Sequence, residues 1–352
     1  MALKALYLCG DLSRIGGIEK YNRDFIAALQ SAGVEVRAVQ RRVGGLASKV
    51  RFVLETFQML LFFRPDYLVC GHLYFSPLAL IAKTLLGLRY SLSLYGIEAI
   101  RIEKAIHRKA VGHADRVIVI SEYTKQLVTR QFQLEPEKLF MLISSVDEER
   151  CYLIPDREKL KAKYGLEGHP VVLTLSRLSS GEEKGQHRVL AAMPEVLKRY
   201  PEARYVVAGP GNDDRLAKVL ADHPGLERSM VRIGPASEEQ KLELYNLCDV
   251  FILPSKNEGF GIVFIEALAC GAQVIASDAY GCREGLRDGK LGALVDPDDP
   301  VSISSEILNA LDRASSGNDL QRESLRKDSL KIYGYRAWCD TVKTLAERIG
   351  AR

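Results

Sequence analysis

Two carboxylates eight residues apart, Glu258 and Glu266, enclose the short stretch Gly259-Phe260-Gly261-Ile262. They lie in DVFILPSKNEGFGIVFIEALACGAQVIAS, residues 249–277. This reads as an apolar strand ending at Pro254-Ser255, a loop, a helix opening near Gly261 and a second strand from Gln273. The glycines therefore fall at the C-terminal end of a strand, facing a helix N-terminus, where parallel sheets bind ligands. Glycine lets backbone N–H groups approach a phosphate closely at such a place. Glu266 falls in the second turn of a helix that otherwise reads Ile, Val, Phe, Ile, Ala, Leu, Ala, Cys. Its carboxylate is expected to be partly buried, and burial without donors costs several kcal/mol. The donors are either the two hydroxyls of a ribose or a structural partner, such as an Arg or a backbone group. Glu258, at the loop tip, is either a solvated acid or an acceptor for a sugar's hydroxyls.

Other residue sets argue against alternative chemistries. Asp296-Pro-Asp298 has the form of an Asp-x-Asp metal site, but it precedes a helix start as Asp296-Pro-Asp-Asp-Pro300, where acids and proline serve as caps. The histidines form neither HxxxH nor HExxH, and the seven cysteines form no CxxC pair. Scattered cysteines in apolar segments read as reduced core residues of a cytosolic protein, and no metal or cofactor is expected. The first turn, Cys9-Gly-Asp-Leu-Ser-Arg-Ile-Gly-Gly17, lacks the GxGxxG of dinucleotide-binding oxidoreductases.

The elements that must position these residues alternate throughout. Strands are expected at 5–9, 34–40, 67–71, 90–95, 116–121, 139–145, 171–176, 204–209, 230–234, 250–255, 273–277 and 292–296. Helices are expected at 17–32, 46–63, 102–111, 122–131, 184–199, 213–222, 238–247, 261–270 and 301–313. Such alternation builds a parallel, doubly wound sheet. The series runs twice, with a polar linker and short helix at PDREKLKAKYGLEGHP between the runs. A last helical segment, 318–350, holds Tyr335, Trp338, Val342, Leu345 and Ile349 near helical spacing. The expected architecture is α/β of the GT-B type: two Rossmann-like domains with parallel sheets facing across a cleft, and a C-terminal helix crossing back to the N-terminal domain. The N-terminal domain is expected over 1–160 plus the returning helix at about 331–352, and the C-terminal domain over 161–330.

Composition fits a globular protein of 352 residues, 47% hydrophobic and 27% charged. No apolar run approaches the roughly 18 residues of a membrane span. The start, MALKALYLCGD, reads as a first strand rather than a signal peptide. Residues 1–150 hold 21 Lys/Arg against 15 Asp/Glu, and the remainder 28 against 30. A basic N-terminal half suits an anionic lipid surface or acidic acceptor, or is an ordinary solvated face. Its dispersal argues against nucleic acid. The apolar helix end Phe57–Phe63 reads as core or as a membrane-contact patch. The expected location is cytoplasmic, with a peripheral place on the inner membrane face.

The spacing of Glu258 and Glu266, followed by ALACGAQVIAS, resembles the retaining glycosyltransferases of family 4, a GT-B family. Several further segments resemble that family in order. They are the element from Ser176-Arg177 to Lys184-Gly185, Val206-Val-Ala-Gly-Pro-Gly211, Gly16-Gly17-Ile18-Glu19, Asp115-Arg-Val-Ile-Val-Ile-Ser121, and Gly289 with Gly292-Ala-Leu-Val. The resemblance implies transfer of a sugar from a UDP- or GDP-sugar to an acceptor hydroxyl in glycan, glycolipid or polysaccharide synthesis, without metal. It implies a C-terminal domain binding the nucleotide sugar and an N-terminal domain binding the acceptor. Arg177 and Lys184 would clamp the diphosphate, and with Glu258 they form the catalytic set. The implied binding set is Gly16, Gly17, Arg177, Lys184, Gly209, Ile233, Glu258, Gly259, Phe260, Gly261, Ile262 and Glu266. Retention is then a front-face displacement in which the leaving phosphate helps take the acceptor proton. Where many relatives have a His before a Gly, this sequence has Tyr95-Gly96, and a phenol donates a hydrogen bond but is a poor base near neutral pH. His72 joins Tyr95 as a residue of the acceptor or sugar side, or is structural. A nucleotide-sugar epimerase and a non-catalytic partner subunit are the alternatives.

Overall fold

The computed structural model describes residues 2–14, 16–181, 183–256, 258–316 and 319–350. The chain divides into two compact units, Met1–Ser145 with Tyr335–Arg352, and Val146–Gly334. In the first, β1 (Lys4–Gly10), β2 (Glu35–Arg41), β3 (Tyr67–Cys70), β4 (Arg89–Leu94), β5 (Arg116–Val119) and β6 (Leu139–Met141) form a parallel sheet of order β2-β1-β3-β4-β5-β6. In the second, β7 (Val171–Leu175), β9 (Arg204–Ala208), β11 (Met230–Ile233), β12 (Val250–Leu253), β13 (Gln273–Ser277) and β14 (Ala293–Val295) form another, of order β11-β9-β7-β12-β13-β14. Two short strands that the sequence did not announce, β8 (Leu178–Ser179) and β10 (Gly211–Asn212), pair beside it in parallel. All twelve expected strands are present. Strands such as β7 and β12 are buried along their length, as a parallel sheet covered on both faces requires.

The order of the second sheet fixes where a ligand can bind. From β7 the chain adds β9 and β11 on one side, then returns to add β12, β13 and β14 on the other. Val172 and Leu173 of β7 register with Val250 and Phe251 of β12. The switch point of the winding thus falls between β7 and β12, and the loops leaving their C-terminal ends diverge there.

The expected division at residue 160 differs from the observed one, because residues 146–160 are tied to the second unit. Asn246 accepts from Ile154 N at 2.8 Å and donates to Tyr152 O at 2.9 Å, and Arg157 pairs with Asp249 at 2.9 Å. The segment 318–350 is two helices, Asp319–Tyr333 and Tyr335–Gly350, parted at Gly334. A Cβ on Gly334 would stand 2.5 Å from Leu330 O and from Glu148 Oε1. The earlier helix belongs to the second unit, where Arg322 donates to Asn246 O and Cys270 O and Arg326 to Ala269 O and Cys151 O. The returning helix therefore starts at Tyr335 rather than near 331, and the last two positions of its expected span, 351 and 352, lie outside the described residues. A helix at Ser76–Leu86 was not expected from sequence.

Within the first unit, Trp338 of the returning helix stacks edge-on against Tyr21 and Phe25 at 5.7 and 6.1 Å. Its indole N–H donates to Ile143 O at 2.5 Å. Among the described residues no helix is long and apolar enough to cross a membrane. Trp338→Ala is expected to destabilise the first unit by about 3–5 kcal/mol. Denaturant unfolding followed by circular dichroism checks it, and an unchanged first transition would contradict this packing role.

Candidate functional site

At the C-terminal edge of the second sheet, the loop after β7 carries Arg177, Lys184 and Gly185, and the loop after β12 carries Ser255 to Gly261. The two loops are joined through backbone: Lys256 N donates to Glu183 O at 2.7 Å. Gly185, with φ +86°, has its Cα turned onto Pro254, and a Cβ there would stand 2.5 Å from Pro254 O. This approach brings Lys184 Nζ within 2.7 Å of Glu258 Oε2, with both side chains 18% exposed. Ser255 Oγ donates to the same oxygen at 3.2 Å. The two residues that sequence reading assigned separately to phosphate and sugar are thus a direct ion pair. Glu258 is a paired acid rather than a solvated loop tip.

The glycines shape the same edge. Gly209, at φ +139°, leaves β9 directly against the Ser176 carbonyl, where a Cβ would fall 2.0 Å from the oxygen. Its N–H donates to the carbonyls of Ile233 and Gly234 at 3.2 and 3.1 Å. Gly261, at φ +87°, is the N-cap of helix Ile262–Ala269, and no side chain caps it. An uncapped helix start leaves backbone N–H groups pointing into the loop region. Gly259 O lies where a Cβ on Gly281 would be, at 2.0 Å, and Gly281 N donates to Glu258 O at 2.9 Å. Phe260 is 2% exposed and packs edge-on against Tyr333 at 5.8 Å, so it offers this edge its backbone rather than its ring.

Glu266 is buried, at 4% exposure. Its Oε2 accepts from Tyr245 Oη at 3.1 Å and faces Lys241 Nζ at 3.5 Å. The sequence foresaw an Arg or backbone group as the structural alternative to ribose; the partners found are a lysine and a tyrosine four residues apart on helix Glu238–Leu247. Burial pulls the Lys241 ammonium down, but Glu266 and Glu238 outweigh it and hold it above its ordinary value. Burial, reinforced by Glu266, pushes the Tyr245 phenol well up, so it remains a donor.

Sequence reading missed Gln186. It is 1% exposed and donates to Ser176 Oγ at 2.7 Å and to Arg177 O at 3.0 Å, which fixes the backbone that presents Arg177. It also missed a chain of charges behind this edge. Lys256 pairs with Asp298 at 2.6 Å, and Arg188 reaches Asp298 at 3.6 Å and Glu183 at 2.7 Å. Arg215 links Glu183 at 3.0 Å to the buried Asp213 at 2.8 Å. Of the acidic run before helix Pro300–Ser316, Asp299 caps the helix, its Oδ1 accepting from Val301 N, while Asp296 Oδ1 accepts from Asp298 N in the turn that precedes it. Asp298 itself serves the ion-pair chain. Among the described residues no group of three or more His, Cys, Asp or Glu could hold a metal ion.

The remaining expected residues lie in the first unit. Gly16 is the N-cap of helix Gly17–Ser31, with Glu19 folded back so that a Cβ on Gly16 would meet its Oε2 at 2.3 Å. His72 stacks on Tyr95 at 6.1 Å, and His72 Nδ1 accepts from Tyr74 N at 3.0 Å. Tyr95 Oη donates to Gly71 O at 2.9 Å, and burial pushes this phenol well above its ordinary range. Its hydrogen is used inside the unit rather than turned outward to a sugar.

The family model described as glycosyl transferases group 1 matches residues 156–327. A GDP-mannose-dependent alpha-(1-6)-phosphatidylinositol monomannoside mannosyltransferase of Mycobacterium tuberculosis is 30% identical over 266 residues, 70% of this chain and 68% of that protein. Its Mycolicibacterium smegmatis counterpart is 30% identical over 251 residues, 67% of this chain and 65% of that protein. A D-inositol 3-phosphate glycosyltransferase of a Mycobacterium species is 30% identical over 58% of this chain, which spans 47% of it. The chain thus aligns with between about half and two thirds of these relatives' length. In structure it is similar to a sucrose-phosphate synthase from Thermosynechococcus elongatus, with a TM-score of 0.84 over 99% of both chains at 18% identity. It is also similar to Anabaena HepE in complex with UDP and glucose, with a TM-score of 0.79 over 99% of this chain and 100% of that one, at 19% identity. Two parallel α/β units with these structural neighbours define the GT-B fold. The chain belongs to the glycosyl transferases of group 1.

The ion-pair chain makes a pH prediction. Arg188 holds the Glu183 carboxyl below its usual range, and Lys256 does the same for Asp298. Burial pushes Asp213 up, but Arg215 and a backbone N–H outweigh it and leave it lowered. Carboxyls lowered in the folded state stabilise it above their unfolded pKa of about 4 and lose that contribution as pH falls through the folded values. The Tm is expected to be insensitive to these groups above about pH 5 and to fall progressively below about pH 4. Arg215→Met should shrink that acid loss in a pH series of thermal melts; an unchanged acid slope would contradict the role given to this chain.

Proposed function

We propose that the protein transfers a glycosyl group from a nucleoside-diphosphate sugar to an acceptor hydroxyl, with the nucleotide held at the C-terminal edge of the second sheet. The observation that carries the reading is the Lys184–Glu258 pair at the switch point, beside the uncapped helix start at Gly261. Cleaving the sugar–phosphate bond leaves extra negative charge on the departing diphosphate. Arg177 and Lys184 supply fixed cations for it, and the N–H groups after Gly261 supply oriented donors. No metal is then required. When the diphosphate takes Lys184, Glu258 is released toward the hydroxyls of the transferred sugar. Glu266, with one oxygen held by Tyr245 and Lys241, takes the ribose diol. The first unit receives the acceptor, with His72 and Tyr95 shaping that side.

Retention of configuration follows from the family resemblance. It assigns the acceptor proton to the leaving phosphate, so the protein contributes position and field rather than a covalent nucleophile. The donor class is supported by relatives named for GDP-mannose and by a structural neighbour in complex with UDP and glucose. Those relatives act on inositol compounds by name, which supports a polar, lipid-linked or small-molecule acceptor.

Saturating the correct nucleoside diphosphate at about 100 times its Kd should stabilise the protein by about 2.7 kcal/mol, or roughly 5–10 °C in Tm. The shift should persist in a chelator. Lys184→Ala should lower turnover of the sugar nucleotide by about 10²–10³-fold. Glu266→Gln, which keeps a polar group for Tyr245, should weaken nucleoside diphosphate binding. Thermal-shift titration with UDP, GDP and ADP, followed by donor consumption, checks all three. No shift with any nucleotide, or shifts unaffected by both substitutions, would overturn the assignment.

A further inference from the structure

Glu266 is gripped on one side by a neighbouring helix. Helix Glu238–Leu247 begins in a capping box, in which the side chains of Ser237 and Gln240 accept from each other's backbone N–H. Lys241 and Tyr245 follow four residues apart, on one face of that helix. Tyr245, 1% exposed, donates to Glu266 Oε2 at 3.1 Å. Lys241 Nζ stands 3.5 Å from the same oxygen and 3.1 Å from Oε2 of Glu238, an acid at the surface. The ammonium therefore bridges a buried carboxylate to an exposed one. Both contacts on Glu266 fall on Oε2, and its Oε1 accepts from no described residue.

A carboxylate this buried keeps its charge only beside a cation. Among the described residues, Lys241 is the cation that reaches it. Helix Asp319–Tyr333 packs on the helix of Glu266, but its Arg322 and Arg326 donate to the carbonyls of Cys270 and Ala269. The Cys270 thiol, pushed well up by Cys151 and by burial, stays neutral, as does the Tyr245 phenol. Charge matters to a diol: both oxygens of a carboxylate accept, whereas a neutral acid carries a proton on one of them. We propose that Lys241 and Tyr245 are positioning residues for nucleotide recognition. They fix one oxygen of Glu266 so that the other meets the ribose hydroxyls as a full carboxylate, and this sets the preference for ribose over deoxyribose. The inference rests on the proposed place of the ribose at Glu266.

The ratio of affinities for a ribonucleoside diphosphate and its 2′,3′-dideoxy analogue tests it, because titration of the phosphates cancels in that ratio. Calorimetric titration with UDP, GDP and their dideoxy forms, from about pH 6 to about pH 9, reads it. The wild-type protein should prefer the ribonucleotide about tenfold or more, with a ratio that is flat across this range. Lys241→Met leaves Glu266 buried without its cation, so its carboxyl ionises only at higher pH. The ratio in that variant should fall to about one near pH 6 and recover as pH rises toward about 9. Lys241→Arg should restore the flat profile, and Tyr245→Phe should lower the ratio about threefold. If Lys241→Met melts below the assay temperature, Lys241→Gln carries the same prediction. A charge-free Lys241 variant whose ratio equals the wild type's, or is lowered equally at every pH as a packing defect would lower it, overturns the proposal. Glu266→Gln separates the two readings. Loss of the ratio there, with no change in Lys241→Met, sinks the positioning role alone, whereas a wild-type ratio near one removes the ribose from Glu266 and this proposal with it.

Discussion

Lys184 and Glu258 stand 74 residues apart in sequence and 2.7 Å apart in space, and most of the second unit's architecture serves to bring them there. Opposite charges left with only 18% exposure give up much of their hydration, which offsets their attraction, so the fold around them must hold them together. The winding of the sheet puts β7 beside β12. Gly185 lets one loop touch Pro254, and Lys256 N bonds Glu183 O. Gln186 holds the backbone under Arg177. The pair is also well suited to exchange. In the proposed reaction a diphosphate takes Lys184 from Glu258, and the displaced Glu258 would then accept from the sugar's hydroxyls.

The ion-pair chain behind the pair carries a different load. Asp213 is buried and doubly bonded by Arg215, and Glu183 and Asp298 extend that contact to Arg188 and Lys256. Its members come from the segments after β7, β9, β12 and β14, so it ties four separate loops of one sheet edge. A site that works by preorganised cations needs this kind of support, because a loose cation must be reoriented at the moment of reaction.

Much of the fold was legible because parallel strands buried on both faces are short apolar runs, as β1, β3, β7 and β12 are, whereas the edge strand β2 (EVRAVQR) alternates between buried and exposed residues. The helix Ser76–Leu86 was missed for a physical reason. SPLALIAKTLL carries only one charged residue, so it shows no polar face with a period of 3.6, and its Pro at the first turn was the one available signal. The break at Gly334 was hidden because 319–333 is polar enough to look like a continuation, whereas Arg322 and Arg326 bind it to a different unit. In the site, the types of Glu258, Glu266, Arg177 and Lys184 could be read, but not who meets whom. Nothing in a linear sequence pairs Lys184 with Glu258, or Lys241 and Tyr245 with Glu266, since each partnership depends on strand order. Tyr95 could be read as a donor; that Gly71 receives its hydrogen followed only from the packing of β3 against β4.

The central claim is that the Lys184–Glu258 pair opens to admit a diphosphate. A crystal structure of the full chain with a bound nucleoside diphosphate tests it most directly. The account predicts phosphate oxygens within hydrogen-bond reach of Lys184 Nζ and of the first N–H groups after Gly261, with the ribose on Glu266 and Glu258 separated from Lys184. A nucleotide bound elsewhere, or one bound with the Lys184–Glu258 contact intact, would contradict it.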